Sequence, residues 1–365
     1  MKNNLGKGAI ALSVSTAVGF TTLPAQSALL VGSSGDNSIK QYDEETGAYI
    51  RDFVTSGSGG LLNPGSFSLA GNGNLYVSSG GTNSIKEYSG TSGEYIRDLT
   101  DADGSLIAAG NLASKDNSLF VVTSRIPGSE RDAGIGMGLV TFDSGVAQYD
   151  LNSGEFVKSI GARTSSQGPI IPTGPQPVDL AIGGPNITLF LTSSSARFNS
   201  GGITEYDTTT GQSVGGGPVA VQFSNPAAIA VSDSRVYYTD SYTSDPSQIN
   251  YYDIATSIGN ISNLSQPFIN DSELLDSSLS LTVGGDGNLL VGVSGTNSVK
   301  RYDGETGDFL GDLVISGSGG LSNPTYVTTA NVPVPEPSSV LGVLAFSGLF
   351  AGGALRRKQG VKLQK

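Results

Sequence analysis

One stretch constrains this chain more than any other: Asn37 to Val54, NSIKQYDEETGAYIRDFV. It returns as NSIKEYSGTSGEYIRDL from Asn83 and as NSVKRYDGETGDFLGDLV from Asn297. Looser copies are GVAQYDLNSGEFVKSI from Gly145, GITEYDTTTGQSV from Gly202 and QINYYDIATSIGNI from Gln248. Each copy places a tyrosine at one position: Tyr42, Tyr88, Tyr149, Tyr206, Tyr252 and Tyr302, at spacings of 46, 61, 57, 46 and 50 residues. A repeat of roughly this period cannot bury its apolar face alone and must stack on its neighbours.

Three positions before every tyrosine stands a β-branched residue: Ile39, Ile85, Val146, Ile203, Ile249 and Val299. An odd spacing along a strand puts the pair on opposite faces, so the strand is apolar on both sides and must be covered on both. After the tyrosine usually comes Asp-x-x-Thr/Ser-Gly, as at Asp43 to Gly47, Asp207 to Gly211 and Asp303 to Gly307. Aspartate bonds back to turn amides and glycine supplies positive φ, which predicts a hairpin. In the second copy Ser89 replaces the aspartate, and in the fifth Ser257 replaces the glycine.

Two more strands precede each hairpin. One is short and apolar, as in LLVGS from Leu29, LYVSS from Leu75, LFVVT from Leu119, LFLTS from Leu189, VYYTD from Val236 and LLVGV from Leu289. The other stands before it across a polar or glycine-rich turn, as in VDLAI before GGPN and LSLTV before GGDGN. Four strands repeated six times predict an all-β, six-bladed β-propeller. The first repeat lacks its opening strand and the last is followed by a spare one, Thr325 to Ala330. The C-terminal strand is therefore expected to close the first blade, which leaves no open seam for edge pairing. The propeller is expected to occupy residues 29–331 as one domain.

The formal charge is −12, from 20 basic and 32 acidic residues. Seven bases lie in the two terminal segments and only Glu336 among the acids lies outside the repeats, so the body stands at −18. Nucleic acid and anionic membranes are poor partners for such a surface. There is no cysteine and no histidine. This excludes thiol chemistry, Ser-His-Asp catalysis and histidine-held metals, leaving carboxylate, amide and hydroxyl chemistry suited to hard cations.

Residues 1–28 carry Lys2 and Lys7, an apolar run from Ala9 to Phe20, and small residues in PAQSA. This reads as a secretory signal peptide cut after Ser27 or Ala28. In residues 332–365, Pro335-Glu336-Pro337 is followed by an uncharged run from Ser338 to Leu355 and then Arg356-Arg357-Lys358. The run is just long enough to span a bilayer, with the basic cluster holding its end on the cytoplasmic side. The three parts in this order resemble the PEP-CTERM sorting signal of exported bacterial proteins. The resemblance implies transient membrane insertion of the tail and its removal by an exosortase-type enzyme that recognises Pro335 to Pro337. It also implies release to the cell surface or exterior of a producer of extracellular polysaccharide.

SNPTYV (Ser322 to Val327), GNLYVSS (Gly73 to Ser79) and TNSIKEY (Thr82 to Tyr88) make the body resemble NHL-type propellers, related to the SMP-30 class. That resemblance implies a binder of peptide, protein or glycan, with a calcium-dependent lactonase-like hydrolase as the alternative. Family members often end the second strand with aspartate. Here Asp240 does so, while Ser33, Ser78, Thr123, Thr192 and Ser294 fill comparable positions. The candidate Ca²⁺ ligands are thus Asp240 and Asp179, the latter inside VDLAI, against the plainer reading that they bond turn and backbone amides. DADG, Asp101 to Gly104, lacks the downstream glutamate of a calcium loop.

The connections Ser124 to Ser144, Gly161 to Pro177, Ser193 to Gly202 and Ser241 to Ser247 are longer than the turns on the other face. Long loops on one face of a rigid scaffold are the usual seat of recognition. Arg125, Arg131, Arg163, Arg197, Phe198 and Tyr242 are the side chains there best suited to a polysaccharide or a surface protein. The expected function is a non-enzymatic exported binding module without a cofactor, or with Ca²⁺.

Overall fold

The computed structural model describes residues 27–100, 107–108, 110–124, 126–129, 131–132, 140–141, 143–163, 176–194, 201–214, 226–240, 248–254, 266–274 and 279–332. The expected signal peptide up to residue 26, the expected sorting signal from residue 333 onward and DADG (101–104) lie outside them. Blade 1 opens with β1 (Ser27–Ser33), β2 (Ser38–Asp43) and β3 (Tyr49–Val54). Blade 2 is β4 (Pro64–Leu69), β5 (Asn74–Ser79), β6 (Ser84–Ser89) and β7 (Tyr95–Asp98). Blade 3 begins with β8 (Leu112–Lys115) and β9 (Ser118–Thr123). A small ribbon of β10 (Arg131–Asp132) and β11 (Val140–Thr141) interrupts it before β12 (Ser144–Asp150) and β13 (Phe156–Arg163).

Blade 4 is β14 (Gln176–Gly183), β15 (Thr188–Ser194) and β16 (Gly202–Tyr206). Blade 5 is β17 (Pro226–Val231), β18 (Arg235–Asp240), β19 (Gln248–Asp253) and β20 (Gln266–Asn270). Blade 6 is β21 (Leu279–Val283), β22 (Leu289–Val293), β23 (Ser298–Tyr302) and β24 (Phe309–Val314). The last strand, β25 (Pro324–Asn331), pairs antiparallel with β1 from Ser27↔Asn331 to Ser33↔Pro324 and completes blade 1. Neighbouring inner strands touch all round, in the order β25, β4, β8, β14, β17, β21 and back to β25. The molecule is a closed six-bladed propeller. Among the described residues no helix is long and apolar enough to cross a membrane.

The repeat explains the packing. Ile39 belongs to the core between blades 1 and 2, whereas Tyr42 belongs to the core between blades 6 and 1. Ile85 and Tyr88, Val146 and Tyr149, Ile203 and Tyr206, Ile249 and Tyr252, and Val299 and Tyr302 divide in the same way. No blade has a core of its own; six cores lie in six seams.

Tyr42, Tyr88 and Tyr302 also carry a bond at the far end of the ring. Tyr42 donates to the Ser318 carbonyl at 2.8 Å, Tyr88 to Ser58 at 2.9 Å, and Tyr302 to the Asp271 carboxylate at 2.6 Å. In each case the acceptor sits in the connection leading into that same blade. The hairpin aspartates accept turn amides, as Asp43 does from Thr46, and Ser89 substitutes for one by accepting from Ser92. Gly47 has φ +70, and a Cβ on it would stand 1.6 Å from the Leu313 carbonyl oxygen of blade 6. Gly93 is held likewise against Phe53 of blade 1, with φ +76 and a Cβ position 1.7 Å from that carbonyl oxygen. The turn glycine therefore serves both backbone conformation and close approach between blades.

Blade 4 departs from expectation. Among the described residues its fourth strand is represented by a single bridge, Tyr206↔Ser213. The segment from Gln212 to Pro218 reads QSVGGGP where other blades have residues such as YIRDF. Consecutive glycines and a proline make a poor strand.

Candidate functional site

In each antiparallel blade the inner strand starts, and the second strand ends, on one face of the ring. The long connections 124–143, 164–175, 195–201 and 241–247 all belong to this face. Of the expected recognition residues, Arg131 lies in β10 and Arg163 ends β13 opposite Ser144. Arg125, Arg197, Phe198 and Tyr242 fall outside the described residues, as do the side chains of Arg131 and Arg163.

Beneath this face the inner strands bulge. Register shifts fall between Pro64 and Phe67, Pro177 and Leu180, and Pro226 and Ile229. A bulge leaves backbone groups without ladder partners, so side chains must satisfy them. Thr192 accepts from the Asp179 amide at 2.9 Å and donates to the Asp179 carbonyl at 3.1 Å. Thr239 accepts from the Ala228 amide at 3.0 Å.

At this level, among the described residues, four seams are fastened by hydrogen bonds between a side chain and the next blade's backbone. Thr325 donates to the Pro64 carbonyl at 2.6 Å, joining blades 1 and 2. Ser66 accepts from the Leu112 amide at 2.8 Å, joining blades 2 and 3. Asn111 donates to the Val178 carbonyl at 2.8 Å, joining blades 3 and 4. Asp179 accepts from the Ile229 amide at 3.2 Å, joining blades 4 and 5, while its other oxygen accepts from Leu180 at 2.9 Å. These latches were not legible one blade at a time, because each partner is a backbone group of the next blade, 46 to 67 residues away in three cases and 261 away for Thr325 and Pro64; the prolines of NPGSF, QPVDL and NPTYV mark where they fall.

Asp179 is the electrostatic oddity of the ring. Burial pushes its carboxyl up to about 7, against the opposing pull of the two amides. Tyr326 is raised by burial and by the Asp179 charge, and its ring packs edge-on against Phe67 with centroids 5.1 Å apart. Tyr326 lines a central channel of about 240 Å³, with Ser68, Ala113, Ala181, Ala230, Thr282 and Thr328 contributing one small residue per blade.

The described residues do not build a calcium site at the axis. Both oxygens of Asp179 are engaged by amides, and among the described residues no group of three acidic side chains converges. Hard-cation sites need several oxygen ligands at once. Asp240 ends β18 opposite Pro226, and its side chain is outside the described residues. The register puts Ser33, Ser79 and Ser193 opposite the corresponding prolines, so Ser78 and Thr192 are each one residue early as counterparts of Asp240.

On the opposite face a cleft of about 1050 Å³ opens across blades 4 to 6, lined by Asp233, Arg235, Asp253, Asp286, Asp303 and Glu305 among others. Its arginine is already held. Arg235 donates to Asp253 at 3.0 Å and to the Gly304 and Glu305 carbonyls at 3.0 and 2.8 Å. Arg301 repeats the arrangement one blade on, donating to the Glu44 and Glu45 carbonyls at 2.6 and 3.2 Å.

No family model and no curated protein matches the chain. Solved structures do. The chain is similar to one in the nidogen/laminin complex, with a TM-score of 0.53 at 12% identity over 83% of this chain and 98% of that one. It is also similar to a functionally unknown protein from Desulfotomaculum acetoxidans DSM 771, with a TM-score of 0.50 at 13% identity over 84% and 99%. Regucalcin from Agrobacterium tumefaciens str. C58, a calcium-binding protein, gives a TM-score of 0.46 at 15% identity over 71% and 76%. At these identities the likeness extends to the fold and no further.

Proposed function

We propose that this chain is an exported, non-enzymatic propeller that binds a polysaccharide or a surface protein through the face bearing its long connections. The observation carrying this reading is the fate of the polar groups beneath that face. Ser66, Asn111, Asp179 and Thr325 are all taken up in holding blades together. A catalytic centre needs polar groups aimed at a substrate, whereas a binder needs a rigid ring beneath variable loops. Blades 6, 1 and 2 carry tight turns such as Gly80 to Asn83, while blades 3 to 5 carry the long connections, so the variation is gathered on one arc.

Residues 1–28 act in this reading as the export signal. Pro335, Glu336, Pro337 and the Arg356-Arg357-Lys358 cluster act as the sorting signal, read by an exosortase-type enzyme after transient insertion of the tail. The test is co-sedimentation of the mature protein with the producer's extracellular polysaccharide, with and without a calcium chelator. A variant in which 125–142 is replaced by a four-residue turn like that at Gly80 to Asn83 runs beside it. Saturable retention lost in the variant supports the reading, and equal retention by both proteins removes the face from it. No retention, together with turnover of a lactone panel that stops on chelation, would replace the binder with a calcium-dependent hydrolase.

A further inference from the structure

Glu44 lies in the hairpin turn of blade 1 and is only 9% exposed. One of its carboxylate oxygens accepts from the Gly285 amide of blade 6 at 2.6 Å, and the other accepts from the Ser27 hydroxyl. Among the described residues no lysine or arginine side chain forms an ion pair with this carboxylate. Arg301 is close, but it bonds the carbonyls of Glu44 and Glu45. The neighbouring Asp43 turns its carboxylate to Thr46. A buried carboxylate without a counter-charge is costly, and here its partner is a serine at the first position of β1.

That serine is the end of the leader. Ala25 and Ser27 are the small residues a leader peptidase requires three positions before its cut and immediately before it. A cut after Ala28 would discard a residue that is fully buried and paired with both Asp43 and Ala330. A cut between Ser27 and Ala28 keeps that residue. It also replaces the serine beside Glu44 with an ammonium group, protonated at neutral pH. An ammonium has three hydrogens, so it can hold a ladder bond and a carboxylate together.

We infer that Glu44 is the counter-ion of the mature N-terminus: leader removal at Ser27–Ala28 creates an α-ammonium that pairs with Glu44 and draws β1 and the blade 1 turn onto Gly285 of blade 6. The inference rests on the export reading above. The seam between blades 6 and 1 would then be tightened by processing, beside the blade in which β1 meets β25.

The exported protein is purified, its first residue is read by N-terminal sequencing, and a sample is capped on its α-amine with a reagent that removes the charge after folding. A first residue of Ala28 is expected. Capping and Glu44→Gln are each expected to lower Tm by roughly 2–4 °C, with no further loss when combined, because both remove one interaction. Additive losses, or an unchanged Tm on capping, would overturn the ion pair while leaving export intact. A first residue other than Ala28, or a retained leader, would overturn the inference together with the proposed leader boundary. Because capping is performed on folded protein, failure of Glu44→Gln to fold does not remove the test.

Discussion

Replacing Asp179 by asparagine isolates a carboxyl whose shift runs opposite to those of Asp36, Asp43, Glu87, Asp150, Asp207 and Asp303. Asp179 moves from 3.8 to about 7 on folding. Between these values the folded protein keeps a proton that the unfolded chain has released. The stability contributed by the neutral form is therefore complete below pH 3.8 and is lost as pH rises through about 7. About three pH units at 1.36 kcal/mol each amount to about 4 kcal/mol. Asparagine keeps an acceptor for the Ile229 amide and never ionises, so the variant lacks this loss.

Urea denaturation of both proteins at intervals from pH 4 to 8.5 gives the difference in unfolding free energy. It should shift in favour of the variant by about 4 kcal/mol between pH 4 and about 7 and be level above that. Asp43, Asp150, Asp207 and Asp303 are lowered by the hydrogen bonds of their turns, so they contribute the opposite trend, lost on acidification. They are common to both proteins and cancel. A difference that does not change with pH would refute the assignment of Asp179 as a buried carboxyl without a counter-charge.

Gly47→Ala should destabilise by at least about 2 kcal/mol, since it adds a backbone clash to a positive φ. Gly57→Ala, at φ +67 with nothing within 4 Å, should cost only about 1 kcal/mol; equal urea midpoints would reject close approach as the reason for the repeat glycine. Tyr88→Phe removes the bond to the Ser58 carbonyl, so the same assay should register a loss of about 1 kcal/mol with the core unchanged. Lys300 is buried between Glu273 and Asp312. Burial works against its charge, but the two carboxylates prevail and leave it raised. The stability gap between wild type and Lys300→Met should therefore be steady below pH 10.5 and close above it; a gap that closes nearer neutrality would contradict the pairing.

The ring was legible because each repeated residue has work in a seam. Tyrosine faces one core while Ile or Val faces the other, and the hairpin glycine lies against the previous blade. Such residues recur at every blade and therefore show in a single sequence. The axial latches do not recur: Ser66, Asn111 and Asp179 occupy equivalent positions with three different side chains. Asp179 stood out as a carboxylate in an apolar strand, but its partner, Ile229, is brought to it only by stacking of the next blade. The single bridge at Ser213 in blade 4 accords with the glycine-rich composition of QSVGGGP in the sequence. Hydrophobic periodicity says nothing about how the arginines of the long connections are arranged, because loop side chains carry no such period.

Closure by the last strand has a geometric consequence. Ser27 and Asn331 are paired neighbours, so the chain enters and leaves the ring at one point. That point lies on the face opposite the long connections, because β1 begins where β25 ends. A propeller held at a membrane by its C-terminal segment would stand with that face down and its long connections turned outward, oriented before any partner arrives.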